Sequence, residues 1–301
     1  MYDASEHERV EVKVHIYKLG EKLGSGSFGD VYRGHPLDKS AQGNDVAIKL
    51  EHKDAKHPQL QYEYKVYKVL QADAATPRVI WCGYEGGYNV LVMELMGPSL
   101  ESLRVSCGGK FSAWTVARVG VQMVERAQHI HDKGYVHRDI KPDNFVVGTG
   151  SRSTHVYAVD FGLSKRYRVG GVHVPYKKKK SLVGTVNYAS IHNHMGHEQS
   201  RRDDMESIGY VLMHLLLGRL PWKGTKGKTR AERDKKIGRL KGNMLTQKTP
   251  RLLGDYFTHV RCLEFEERPD YVYLLNLLER MASESRKASG IVDYDWVLNG
   301  L

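Results

Sequence analysis

The residues best suited to chemistry crowd the middle of the chain. His137-Arg138-Asp139-Ile140-Lys141-Pro142-Asp143-Asn144 places two carboxylates, an amide and two cations within eight positions, and Asp160-Phe161-Gly162 follows sixteen residues after Asn144. Between the two strings lie the short β-rich stretches Phe145 to Val147 and Val156 to Val159, joined by the polar turn Gly148 to His155. This pattern predicts a hairpin whose ends bring Asp139, Asn144 and Asp160 to one acidic, metal-competent site. Phosphoryl transfer needs such a set: a carboxylate to orient the attacking hydroxyl and accept its proton, and oxygen ligands to hold Mg²⁺ across the phosphates. Lys141 can neutralise charge developing on the moving group. Chance turn residues would account for any one piece, but not for the joint order and spacing.

A second set lies near the N-terminus. Leu23-Gly24-Ser25-Gly26-Ser27-Phe28-Gly29-Asp30-Val31 contains three glycines whose missing side chains let backbone N–H groups approach phosphate oxygens. A dinucleotide loop would open a helix, whereas here Val31-Tyr32-Arg33 is strand-like and Gly34-His35-Pro36 predicts a turn. Strand, glycine loop, strand suits a flap over nucleotide phosphates, and it equally describes an ordinary glycine hairpin. Val46-Ala47-Ile48-Lys49 is a short apolar strand ending in a lysine that can offer a point charge to phosphate. Glu63 has Val66, Tyr67 and Leu70 at helical spacing, which sets a carboxylate on an apolar helix face. Lys49 is the cation such a carboxylate would need, the other reading being a first-turn glutamate held by the helix dipole.

These groups must be positioned by two kinds of element. The first third predicts strands at Ile16 to Leu23, Asp30 to Gly34, Val46 to Leu50, Trp81 to Tyr84 and Asn89 to Leu95, interrupted by one helix with Pro58 in its first turn and Leu60, Tyr64, Tyr67 and Val66, Leu70 as its apolar pattern. Beyond Gly97-Pro98 the patterns become helical, notably Thr115 to Lys133, Asp203 to Leu217 and Asp270 to Met281. The expected fold is therefore α+β, with a small β-rich lobe followed by a larger, mainly α-helical lobe.

Composition limits the rest. The 301 residues are 41% hydrophobic and 27% charged, enough for a sizeable core and unlike a disordered chain. No apolar run reaches the roughly 20 residues of a membrane helix, and Met1 to Val10 lacks the order of a signal peptide. Cys82, Cys107 and Cys262 stand far apart, which fits reduced thiols in a cytosolic or nuclear compartment. A formal charge of +11 favours acidic partners: nucleic acid, anionic lipid, nucleotide or acidic protein.

With these motifs in place, the chain resembles eukaryotic protein kinases. The resemblance implies a bilobal protein kinase fold with ATP in the cleft between the lobes, dependent on Mg²⁺. It makes Asp139 the catalytic base, with Lys141 beside it, Lys49 the phosphate-anchoring lysine and Glu63 its helix partner. Asn144 and Asp160 become the metal ligands. Leu23 to Val31, Ala47, Lys49 and the hinge Met93-Glu94-Leu95 become the ATP site, and Asp204 the anchor of the catalytic loop. Domain boundaries follow as an extension at 1–16, a kinase domain at 17–296 (lobes about 17–95 and 99–296) and a short end at 297–301.

One departure narrows the family. Ala189-Ser190-Ile191 stands where most such kinases have Ala-Pro-Glu. Together with Glu198-Gln199-Ser200-Arg201-Arg202-Asp203-Asp204, Trp81-Cys82-Gly83, Gly97-Pro98-Ser99-Leu100 and Lys141-Pro142-Asp143-Asn144-Phe145, it is similar to the casein kinase I family. That similarity implies a monomeric serine/threonine kinase, active without activation-loop phosphorylation and acting on acidic or phosphate-primed proteins, with no membrane or specific nucleic-acid partner and a cytoplasmic or nuclear location. The rivals are a pseudokinase-type scaffold, against which the intact Lys49, Glu63, Asp139, Asn144 and Asp160 speak, and a nucleic-acid-binding protein, for which no recognition module is found.

Basic runs and histidines complete the inventory. Lys177 to Lys180 is one run, and Lys223 to Lys241 holds nine Lys/Arg against Glu232 and Asp234, a local balance of +7. By the resemblance, Lys180 and Arg233 match two positions of a substrate anion site whose third basic position is here Asn187. A solvated basic face is the other reading of the second run. His192, His194 and His197 have a spacing compatible with a metal, but no carboxylate or thiolate set accompanies them.

Overall fold

The computed structural model describes residues 16–26, 29–37, 44–71, 75–244 and 251–300. The chain divides between Met96 and Gly97 into two compact units.

Among the described residues the first unit is a five-stranded antiparallel sheet with one α-helix. Strands β1 (Tyr17–Gly26), β2 (Gly29–Pro36), β3 (Val46–His52), β4 (Val79–Glu85) and β5 (Tyr88–Glu94) are ordered β1-β2-β3-β5-β4. Side chains alternate across the pleat. Val46, Ile48 and Leu50 of β3 therefore join Val90 and Val92 of β5 in one core, with Tyr17, Leu19, Tyr32, Trp81 and Tyr88 packed against it. Lys49, between Ile48 and Leu50, faces the other way and pairs in register with Leu91.

Two expectations are corrected here. Gly34-His35-Pro36 is not a turn: β2 continues through Pro36 because β1 is long enough to pair Tyr17 with Pro36 and Leu19 with Gly34. Helix α1 (Leu60–Leu70) starts two residues after Pro58. Its start is set by Glu51 of β3, whose Oε1 accepts the N–H groups of Gln59 (2.6 Å) and Leu60 (3.2 Å), while Asn89 Nδ2 donates to Oε2 at 3.0 Å. A carboxylate from a neighbouring strand thus meets the orphan donors that the Gln59 side chain leaves unmet.

The second unit is mainly helical. Its long helices are α3 (Ala113–Asp132), α5 (Arg201–Leu217), α6 (Arg230–Gly242), α7 (Arg251–Cys262) and α8 (Tyr271–Ser289), with α2 (Leu100–Ser106), α4 (Ile191–His194) and α9 (Asp295–Leu298) shorter. Helix α3 packs on α5 and α8, and α7 on both of those. Thirteen of the seventeen residues of α5 are buried, so polar groups on it must be met from neighbouring chain. The expected hairpin is present: β7 (Phe145–Val147) pairs antiparallel with β8 (Val156–Ala158). Strand pairs β6 (Tyr135–Val136) with β9 (Lys165–Arg166), and β10 (Arg168–Val169) with β11 (Val172–His173), complete the unit. Helix α9 closes it, with Trp296 buried and its Nε1 donating to the Ser153 carbonyl at 3.1 Å. Among the described residues no helix is long and apolar enough to cross a membrane.

Candidate active site

In the first unit, the glycine string forms the hairpin end of β1 and β2, with Gly24 opposite Val31, Ser25 opposite Asp30 and Gly26 opposite Gly29. Ser27 and Phe28, expected in the same loop, lie outside the described residues. A Cβ placed on Gly24 would meet nothing within 4 Å. Among the described residues no packing contact requires that glycine, and open space lies beside its backbone. At Gly29, by contrast, a Cβ would run into the Leu50 carbonyl, and φ is +135°. Asp30 accepts from Ser25 Oγ (2.6 Å) and pairs with Lys22 (2.9 Å). The Ser25 hydrogen bond, then Lys22, hold its carboxyl below the usual range.

On the same unit Lys49 Nζ lies 2.7 Å from Glu63 Oε2, and both side chains are buried. The pair links β3 to α1, and Glu51 at the start of α1 fixes the helix that carries Glu63. Ala47 is buried on β3 opposite Met93, Glu94 is the last residue of β5, and Leu95 follows it.

In the second unit, three loop segments converge on one carboxylate and one backbone crossing. Val159 N–H donates to the Asn144 carbonyl at 2.9 Å, and Val159 C=O accepts from His137 Nε2 at 3.1 Å. The residue before Asp160 is thereby tied to both ends of the 137–144 string. His137 Nδ1 accepts the Asp139 N–H (3.3 Å), so the imidazole carries its proton on Nε2. Arg138 and Asp160 both have φ of +65°, unusual for residues with side chains, and such backbone persists only where the surroundings determine it.

Asp204 supplies much of that determination. From α5 it accepts the N–H groups of His137 (2.7 Å) and Arg138 (2.9 Å) and the His131 ring at 3.0 Å. Burial alone would raise its carboxyl, but the His131 hydrogen bond and the nearby His131 and His137 rings outweigh that and keep it below the ordinary range.

Asp139, 7% exposed, is held through both oxygens. Oδ1 accepts Thr185 N–H at 2.8 Å and Thr185 Oγ1 at 2.7 Å, and Oδ2 lies 3.0 Å from Lys141 Nζ and 3.3 Å from Asn144 Nδ2. Asn144 Nδ2 also donates to the Asp139 carbonyl at 3.0 Å. With its nitrogen committed, Asn144 has Oδ1 left for a cation. Together with Asp160 this is an all-oxygen donor set, which fits a hard ion such as Mg²⁺.

The segment carrying Thr185 is held by contacts from Asn193, Gly196 and Glu198. Asn193 clamps Val183, donating to its carbonyl at 2.7 Å and accepting its N–H at 3.3 Å. Lys180 N–H bonds Gly196 C=O and Glu198 N–H bonds Lys177 C=O, each at 2.8 Å. Glu198, nearly fully buried, pairs with Lys165 at 2.8 Å and Lys180 at 3.6 Å. Burial would raise its carboxyl, but Lys165 and then Lys180 and Arg138 hold it below the usual range.

The departure at Ala189-Ser190-Ile191 also has an account. Ser190 Oγ donates to Asp203, and Ile191 N–H donates to Glu206 Oε2 at 3.1 Å, so the carboxylates that anchor this stretch come from α5. Just before it, Lys241 of α6, completely buried, donates to the carbonyls of Val186 (2.8 Å) and Ala189 (2.7 Å), and Trp222 Nε1 donates to Asn187 C=O at 2.8 Å.

The two basic residues matched to an anion site each have a carboxylate partner: Lys180 has Glu198, and Arg233 has Asp234 at 2.7 Å. The three histidines separate. His194 Nε2 accepts from Lys241 at 3.2 Å, while His192 and His197 stack with their Nδ1 atoms 3.3 Å apart. Burial lowers His192 and His194 to about 4.

Glu51, Thr185, Asn193, Glu198 and Lys241 were not expected from the sequence. Their contacts join separate elements and loops, and no periodic pattern marks such contacts. Two of them carried a signal, Glu198 as the first residue of the Glu198 to Asp204 motif and Lys241 as a member of the basic run, where it pointed to the surface.

A sheet-bearing unit with a buried lysine–glutamate pair, followed by a helical unit with an aspartate held through both oxygens, is the arrangement of the protein kinase class. The protein kinase domain model matches residues 17–285, and the chain belongs to that family.

Proposed function

We propose that the protein is a casein kinase I-like serine/threonine kinase that transfers the γ-phosphate of ATP to acidic or phosphate-primed protein substrates. The observation that carries this reading is the clamped Asp139 carboxylate, with Lys141 and Asn144 on one oxygen and Thr185 on the other. Asp139 accepts the proton of the substrate hydroxyl, and Lys141 offsets charge on the transferring group. Lys49, oriented by Glu63, would bind phosphate oxygens, with the backbone N–H groups beside Gly24, Gly26 and Gly29 as further donors. Asn144 and Asp160 would hold the metal, and Met93 to Leu95 would hold adenine. Bound Mg·ATP supplies the phosphoryl group and neutralises its oxygens.

The substrate class is supported by the basic run Lys223 to Lys241, in which eight Lys/Arg besides the buried Lys241 stand against Glu232 and Asp234. Primed recognition would rest on Lys180 and Arg233 without a cation at Asn187, and both are already paired. Acidic unprimed peptides are therefore expected to exceed primed ones. The test is phosphate transfer to three matched peptides: neutral, acidic, and carrying phosphoserine three residues before the target serine. Preference for the acidic peptide supports the reading; ATP binding without labelling of any peptide would favour a catalytically silent scaffold.

A further inference from the structure

We propose that the groove between α6 and the stretch from Leu182 through α4 docks an acidic segment of the protein substrate, separate from the residues being phosphorylated. The proposal rests on the kinase reading above. The groove has a volume of about 1040 Å³. Leu182, Ile191 and Met195 give it an apolar side, and Met195, 61% exposed, presents an unbranched, adaptable side chain. Helices α4 and α6 approach at Gly238, where a Cβ would come 2.9 Å from that of His194.

The other side is a cationic helix face. Arg230, Lys235 and Arg239 line it with one carboxylate, Asp234, which is engaged by Arg233 at 2.7 Å and Arg230 at 3.8 Å. Among the described residues Lys235 and Arg239, one turn apart, have no carboxylate partner. Charge complementarity therefore selects an acidic occupant. Thirteen residues of α6 span about 20 Å, room for about six residues of extended chain. Among the described residues no Phe, Tyr or Trp lines the groove, and its one imidazole, His194, is engaged by Lys241 at 3.2 Å, whereas single-stranded nucleic acid is held by stacking on free aromatic faces. The groove also joins the catalytic site through the chain: Leu182 precedes by three residues the Thr185 that holds Asp139. A segment bound here would raise the local concentration of a linked acceptor serine.

The experiment compares a short neutral acceptor peptide with the same peptide joined by a Gly/Ser linker to a six-residue Asp/Glu stretch containing one leucine. The variants are Lys235→Glu/Arg239→Glu and Met195→Asp. In the unaltered protein the extension should lower KM about tenfold at equal kcat. Both variants should abolish that gain while leaving the short peptide within about twofold, the margin expected of surface positions. Fluorescence anisotropy of the labelled acidic stretch alone gives a readout that needs no catalysis. Binding lost in the variants, even with no labelling of either peptide, would uphold the groove and overturn the kinase reading. No binding in the unaltered protein, equal loss on both peptides in the variants, or preferential displacement by a single-stranded RNA of equal charge would overturn the docking proposal.

Discussion

Thr185 gives both of its donors, backbone N–H and hydroxyl, to the same oxygen of Asp139. The carboxylate is thereby fixed by the segment that follows it in space, 46 residues on in sequence. Thr185→Val keeps the shape and the N–H bond but removes a hydrogen bond to a charged group, worth about 1.5–3 kcal/mol. A fall in kcat of about tenfold or more is expected, with the circular dichroism spectrum unchanged. Thr185→Glu, or phosphorylation of Thr185, sets negative charge against Asp139 and should be the more damaging. A wild-type rate for Thr185→Val would mean that the hydroxyl bond is idle in catalysis.

The glycines of the N-lobe hairpin should divide into two kinds. Gly24→Ala meets no atom of the described residues, so Tm should hold while KM for ATP rises. Gly29→Ala meets the Leu50 carbonyl at positive φ and should lower stability by about 1 kcal/mol or more. Thermal melts beside ATP titrations separate the two, and equal loss of Tm in both would show that Gly24 is a packing residue.

Stability should carry the signature of Asp203. Burial, opposed by bonds from Ser190 and Ser200, lifts its carboxyl from 3.8 to about 7. The folded protein then holds a proton that the unfolded chain releases. This contribution is complete below about pH 4 and is lost as the pH rises through 7. Relative to Asp203→Asn, the unaltered protein should lose stability across that window, by at most about 1.4 kcal/mol per pH unit for one proton. Denaturant melts of both at pH 5, 6, 7 and 8 measure it, and a constant difference would contradict the assignment.

Glu198 should act as a fixed tether of the activation segment. Its partners Lys165 and Lys180 are partly exposed, so the ion pairs themselves contribute little, but Glu198 is buried between them. Glu198→Gln should speed tryptic cleavage at Lys177 to Lys180 and reduce activity several-fold, in the manner of a loosened, partly opened segment. Unchanged cleavage would place the restraint in the backbone bonds of Lys180 and Glu198 alone.

Much of this architecture was legible before any coordinates. The strings around Asp139 and Asp160, the hairpin between them, Lys49 with Glu63, and Asp204 on its helix were visible because local motifs and periodicity record them. Glu51 was not, because capping from a neighbouring strand leaves Gln59, a poor cap, at the helix start. The anion-site match at Lys180 and Arg233 gave positions but not partners: Asp234 stands next to Arg233 in the sequence, while Glu198 reaches Lys180 from eighteen residues on, a contact no local pattern encodes. Lys241 looked like one more solvent-facing cation, yet it is buried against the carbonyls of Val186 and Ala189.

The central claim is that Asp139 and Asp160 carry phosphoryl transfer. The measurement that tests it most directly is the single-turnover rate of phosphate transfer from Mg·ATP to an acidic serine peptide, in the unaltered protein and in Asp139→Asn and Asp160→Asn, each checked for an unchanged melting profile. Transfer by the unaltered protein and a loss of about 10²-fold or more in both variants is the result expected for a proton acceptor and a metal ligand. Near-wild-type rates in either folded variant would contradict the account.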